Sequence, residues 1–153
     1  MTDRDIRTTA EALEDAAMPR AHVVHCDPGA SSAEQKPLPD AVARRPVRTK
    51  SPAQWAYERL ILYIQNFEEH LDNAHEIAIG YTGGDAGVMR IEGMGYFEPD
   101  IVTFYGFDAT GARTQLIQHV TQLNVMLRAL PKADEAGGPR RIGFRLAADL
   151  QSG

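Results

Sequence analysis

A sharp change in sequence at Ser51 constrains the fold of this chain more than any other feature. Before it, prolines recur at positions 19, 28, 37, 39 and 46 among Ser, Ala, Gly and Asp, with few large apolar residues. Such a stretch buries too little apolar surface to offset the entropy of ordering it. We therefore predict a disordered N-terminal arm over residues 1–50, one domain over residues 51–147, and a frayed tail over residues 148–153.

The predicted domain begins with a long amphipathic helix. Ser51, Pro52 and Gln54 match a capping box with proline at the first helical position, so the hydroxyl can accept from a backbone N–H and the glutamine can bond back. Apolar residues then recur at spacings of three and four, which predicts a helix to about residue 71. The stripe consists of Tyr57, Leu60, Ile61, Ile64, Phe67 and Leu71.

After the helix the apolar period changes to two, which indicates antiparallel strands. The predicted strands cover residues 75–81, 88–96, 101–107 and 140–146. Residues 113–130 fit either a helix or two short strands with a break near His119, and we favour two strands because hairpin-loop chemistry precedes them. The predicted fold class is α+β, with an N-terminal helix followed by a small, strongly bent antiparallel sheet.

This order of elements resembles the Sm-like fold. Residues 87–102 look like the second and third strands of that family with their central bend, and residues 115–120 with 124–127 look like its last two strands. The resemblance implies a bent, barrel-like sheet. It also implies rings, because in that fold the last strand of one subunit pairs with the fourth strand of the next.

Several features depart from the Sm-like pattern. Gln118 stands where the bacterial RNA chaperones of that family carry the lysine of a Lys-His pair, and residues 141–146 have no counterpart. The block from residue 51 to residue 146 also resembles an uncharacterised bacterial domain family, which implies no activity. The stretches that carry this resemblance are residues 51–60, 95–96, 99–106, 115–119 and 140–144.

Charge is divided unevenly between arm and domain. Residues 1–50 contain eight basic and eight acidic residues, whereas residues 51–153 contain eight basic and thirteen acidic ones, so the net charge of −5 lies wholly in the domain. An acidic domain is a poor partner for phosphate backbones. The arm ends in a basic run that is a candidate contact for nucleic acid or a protein partner, although a solvated linker is the simpler interpretation. Its members are Arg44, Arg45, Arg48 and Lys50.

No set of His, Cys, Asp or Glu has the spacing of a catalytic or metal site, so we predict no catalytic residue, no metal and no cofactor. The single cysteine, Cys26, and the lack of a long apolar run fit a cytoplasmic protein without a membrane span. One polar cluster is a candidate ligand site or pore lining in an oligomer, although a structural role for its histidine is the simpler interpretation. It consists of His119, Gln118, Gln115 and Tyr96.

Three functional hypotheses follow. The first is a non-enzymatic, homo-oligomeric assembly or interaction module of Sm-like architecture, whose arm is free to contact a protein partner. The second is an RNA-binding Sm-like ring in which the basic arm contacts phosphates. The third is a ligand-binding or enzymatic domain whose site forms only between subunits.

Overall fold

The computed structural model describes residues 20–43, 49–80 and 87–152. Within these ranges the helices are α1, Asp40–Ala43; α2, Pro52–Glu69; and α3, Gly143–Ser152. The strands are β1, His75–Gly80; β2, Val88–Phe97; β3, Ile101–Asp108; β4, Arg113–His119; and β5, Met126–Pro131. Short 3-10 turns occupy Ala33–Gln35 and Val120–Gln122. The predicted α+β class is confirmed.

The long helix α2 begins at the predicted cap. Ser51 Oγ accepts a hydrogen bond from the backbone N–H of Gln54 at 3.1 Å. The Gln54 side chain does not complete the capping box, because its Nε2 donates to Glu58 Oε1 at 3.2 Å. Tyr57, Ile61 and Ile64 are buried, so the predicted stripe faces the core.

The five strands form one antiparallel sheet in the order β4-β3-β2-β1-β5. One face packs against α2, which α3 packs beside, and this face supplies most of the core, because successive residues of a strand point to opposite faces. The two strands at the ends of this order, β4 and β5, are not paired with each other in the described part of the chain. The core side chains of the sheet include Ile77, Ile79, Met89, Ile91, Val102 and Phe104.

The sheet is irregular in the middle of β2, where the sequence predicts a bend. The pairing of β2 with β3 shifts register between Ile91 and Gly93. An extra residue in one strand bends it and increases its local twist. On β3, Gly106 lies so close to β2 that a Cβ placed there would stand 1.9 Å from the carbonyl oxygen of Arg90.

Residues 113–130 form two strands, as favoured from the sequence. β4 and β5 are separated by the 3-10 turn Val120–Gln122, which lies at the predicted break. Leu116 on β4 and Leu127 on β5 both pack against the core cluster. Each strand therefore contributes to the core, although β4 and β5 are not paired with each other in the sheet.

The prediction of a last strand over residues 140–146 is wrong. This segment enters α3, which continues through most of the tail that was expected to fray. Ile142 and Leu146 are buried and Leu150 packs beside them, whereas Phe144 is 71% exposed. Apolar residues spaced by four thus face the core. The start of α3 is held by Glu68 of α2, which accepts from the backbone N–H groups of Ile142 and Gly143 at 3.0 and 2.6 Å.

Part of the described segment before Ser51 contacts α2. Tyr63 of α2 donates its hydroxyl to Glu34 at 2.6 Å, and Lys36 forms an ion pair with Glu69. Val42 of α1 is fully buried. Polar contacts with α2 thus position Glu34 and Lys36, and the burial of Val42 adds an apolar contribution.

Candidate functional site

The four residues of the predicted ligand or pore site are not brought together. Tyr96 and Gln118 lie in one cross-strand row with Val102, on the core face of the sheet. Gln115 and His119 alternate with Gln118 along β4 and therefore lie on the opposite face. Within one chain, the arrangement does not form a common site for a ligand.

His119 links the end of β4 to the start of β3. Its Nδ1 accepts from the backbone N–H of Thr121 at 3.1 Å and lies 2.7 Å from the Thr121 hydroxyl. Because Nδ1 is an acceptor, the proton is on Nε2, which donates to Asp100 Oδ2 at 2.9 Å. The carboxylate–imidazole–hydroxyl order resembles that of a nucleophilic triad, yet Nδ1 caps the 3-10 turn and Nε2 joins that turn to the start of β3. We therefore interpret His119 as structural.

The basic run divides into two parts. Arg44, Arg45 and Arg48 lie outside the described residues, so their proposed contact with nucleic acid or a partner stays a prediction. Lys50, which the sequence groups with them, is instead internal, with a side chain only 1% exposed. Its ammonium is 2.6 Å from the Glu58 carboxylate, donates to the Val42 carbonyl and lies 4.0 Å from the centre of the Trp55 ring. A charge held in this way is not available to a surface partner.

A polar cluster joins α2 to α3 beside the sheet. The Tyr57 hydroxyl donates to Asp149 Oδ2 at 2.9 Å, and the Tyr57 ring packs on Tyr96 with centroids 4.9 Å apart. Burial raises the pKa of the Tyr57 phenol, and the hydrogen bond to Asp149 raises it further. The phenol therefore stays protonated at neutral pH and stabilises the packing of α3.

This cluster predicts a loss of stability in alkali. The folded chain holds the Tyr57 proton more tightly than the unfolded chain, whose tyrosine pKa is about 10. The stabilisation is therefore present below pH 10 and is lost as the pH rises above that value. At pH 7, we expect Tyr57→Phe to be about 1 kcal/mol less stable than the parent chain in urea unfolding, because it lacks the hydrogen bond to Asp149. Between pH 9 and pH 11, the free energy of unfolding should fall less in Tyr57→Phe than in the parent chain. Tyr105→Phe, altering a half-exposed ring, should keep the parental pH dependence, and equal dependence in all three proteins would contradict this assignment.

The edges of the sheet expose large apolar side chains that the sequence did not single out. Ile117 on β4 is 62% exposed and Met126 on β5 is 63% exposed. Ile117 also extends an exposed strip on the outer face that includes Tyr105 and Phe97. The signal available in the sequence was strand alternation, since Leu116 faces the core and its neighbour Ile117 must then face outward.

The described part of the chain contains neither a metal-binding cluster nor a membrane-spanning helix. In the described ranges, no three His, Cys, Asp or Glu side chains are grouped so that they could hold a metal ion. No helix in that part of the chain combines the length and the apolar character needed to cross a bilayer.

A long helix packed on an open, five-stranded antiparallel sheet defines this chain as an α+β domain. Residues 47–145 match the model of the family of unknown function DUF6173, and the chain belongs to that family. The expected resemblance to an uncharacterised domain family is thus confirmed. No curated protein and no solved structure matches the chain.

Proposed function

We propose that this protein is a non-enzymatic assembly module of Sm-like architecture, which forms homo-oligomers by pairing β5 of one copy with β4 of the next. The observation that carries the proposal is the strand order β4-β3-β2-β1-β5, which leaves those two strands at the ends of the sheet. An end strand presents unpaired backbone N–H and C=O groups, which are a template for another strand.

The side chains at the two edges support this pairing. Ile117 and Met126 are both more than 60% exposed, although burying a large apolar side chain lowers the free energy. If β5 of one copy lay beside β4 of another, these side chains would be buried near the joint. Adjacent to them, Tyr105 and Phe97 would extend the apolar contact across the outer face.

The resemblance to the Sm-like family adds independent support. It predicts one helix followed by five antiparallel strands, a bend in the second strand, and pairing between the last strand and a neighbour's fourth strand. The chain has one long helix before five strands, a register shift in β2 at Gly93, and a 3-10 turn between β4 and β5. An interface between two different edges is heterologous and generates rings when its rotation closes.

Single charges at the edges test the proposal. We expect Ile117→Lys and Met126→Lys each to weaken self-association about 100-fold, because a lysine must then be desolvated in an apolar contact. Mixed together, the two variants should form a one-to-one dimer, because one intact β4 edge and one intact β5 edge remain. Sedimentation velocity at micromolar concentration measures all four samples, including the parent chain.

Phe144→Lys is the matched control, since Phe144 is also highly exposed but lies on α3 and not on an edge strand. It should associate like the parent chain. A monomeric parent chain would reject the assembly module. If only one of the two variants lost self-association and the other associated like the parent chain, the interface would instead be symmetric, between two identical edges.

A further inference from the structure

A cleft of about 460 Å³ lies between the N-terminal segment and α2, apart from the sheet edges β4 and β5. One wall is residues 33–39 with residues 20–21, and the other is the exposed face of α2. We call it the α2 cleft. Its volume falls in the range of clefts that take small organic ligands. The α2 residues that line it are Arg59, Leu62, Tyr63, Gln65, Asn66 and Glu69.

The charges around the α2 cleft do not cancel. Three cationic residues and two anionic ones line it, which gives a net charge of +1 where the N-terminal segment meets the acidic domain. Lys36 is paired with Glu69. Glu34 accepts the Tyr63 hydroxyl, which lowers the pKa of that carboxyl and keeps it anionic. The remaining cations, Arg20 and Arg59, have no carboxylate within ion-pair distance among the described residues.

Contacts with Trp55 fix the orientation of the Arg59 side chain. Its Nε donates to the Trp55 carbonyl at 3.2 Å, and its guanidinium carbon lies 5.8 Å from the centre of the Trp55 ring. With Nε engaged, the two Nη groups remain as a fork of donors. Such a fork matches the two oxygens of a carboxylate.

The rest of the lining is largely apolar. Leu62 on α2 faces Pro37, Leu38 and Pro39 of the N-terminal segment. Asn66 lines the same cleft, and its Oδ1 is buried without a hydrogen-bond partner in the described part of the chain.

From these observations we propose that the α2 cleft binds a small amphipathic anion, namely a carboxylate with an apolar body. The carboxylate pairs with the Arg59 fork, and the apolar body lies between Leu62 and the proline-flanked Leu38. A cationic ligand with the same body is excluded by the uncompensated guanidinium groups. This site is independent of the proposed assembly, because none of its residues lies on β4 or β5.

Decanoate is a suitable probe, and decyltrimethylammonium carries the same tail with the opposite charge. We expect isothermal titration calorimetry of the full chain to give saturable, one-to-one binding of decanoate and none of decyltrimethylammonium. Arg59→Gln should weaken decanoate binding about tenfold, because one charge-assisted pair is lost. Raising the salt concentration should weaken binding by the parent chain.

Arg113→Gln, which removes an exposed arginine on β4, is the matched control and should bind decanoate like the parent chain. Arg59→Lys keeps the charge without the fork and should fall between the parent chain and Arg59→Gln. Urea unfolding verifies that each variant is folded. Equal affinity for both probes, no binding of decanoate, or equal losses in Arg59→Gln and Arg113→Gln would each overturn the proposal.

Discussion

Replacing Gly106 by alanine is expected to lower the free energy of unfolding by about 3 kcal/mol or more. A Cβ at this position would stand 1.9 Å from the Arg90 carbonyl oxygen and 2.9 Å from its carbon. These are backbone atoms of the neighbouring strand, so no side-chain rotation can relieve the contact. β2 and β3 would have to separate where they carry Ile91 and Phe104 of the core.

Gly93→Ala is a close control for this effect. Gly93 lies at the register shift in the partner strand β2, yet the nearest atom to a Cβ there is 3.9 Å away on the Tyr105 ring. Its replacement should therefore cost less than about 1 kcal/mol. Both variants lose a glycine from the same strand pair, so the difference between their urea midpoints isolates the close approach at Gly106. Similar midpoints would show that β2 and β3 are not packed as described.

The elements that the sequence predicted well are those with a long, consistent period. α2 has 18 residues, and Tyr57, Ile61 and Ile64 all obey one helical spacing. β3 is rich in β-branched and aromatic residues and pairs on both sides. In these segments the local preference and the packing agree, so little depends on distant residues.

α3 could not be predicted in the same way. Ile142, Phe144 and Leu146 alternate as in a strand, while Ile142, Leu146 and Leu150 are spaced as in a helix. What decides between them is Glu68, whose carboxylate binds two backbone N–H groups at the start of α3 from more than seventy residues away. A contact over such a sequence distance leaves no local pattern.

The candidate sites were harder to predict than the fold for the same reason. A count of charges places Lys50 with three arginines as a basic surface run, whereas its position is set by Glu58, eight residues later in α2. The α2 cleft depends on residues 33–39 lying against α2, and the pairs that fix them join residues about thirty positions apart. Only the edge residues Ile117 and Met126 were accessible from alternation along β4 and β5.

The buried Lys50–Glu58 pair gives the second large prediction. Lys50→Met should destabilise the chain by about 3–5 kcal/mol, because it leaves the Glu58 carboxylate buried without a cation. It also removes the donor to the Val42 carbonyl and the contact with the Trp55 ring. Lys36→Met, which breaks the exposed pair with Glu69, should cost less than about 1 kcal/mol.

The double variant Lys50→Met with Glu58→Leu separates the two contributions. If the cost of the single change comes mainly from the uncompensated carboxylate, removing that carboxylate as well should recover much of the lost stability in a double-mutant cycle. The double variant still lacks the hydrogen bond from Lys50 to the Val42 carbonyl. Hydrogen exchange should therefore stay faster than in the parent chain at the Val42 and Ala43 amides, which donate to the Pro39 carbonyl. If Lys50→Met lowered the free energy of unfolding no more than Lys36→Met does, the Lys50–Glu58 pair would have to be solvated. Lys50 would then be available as the surface cation that the sequence first indicated.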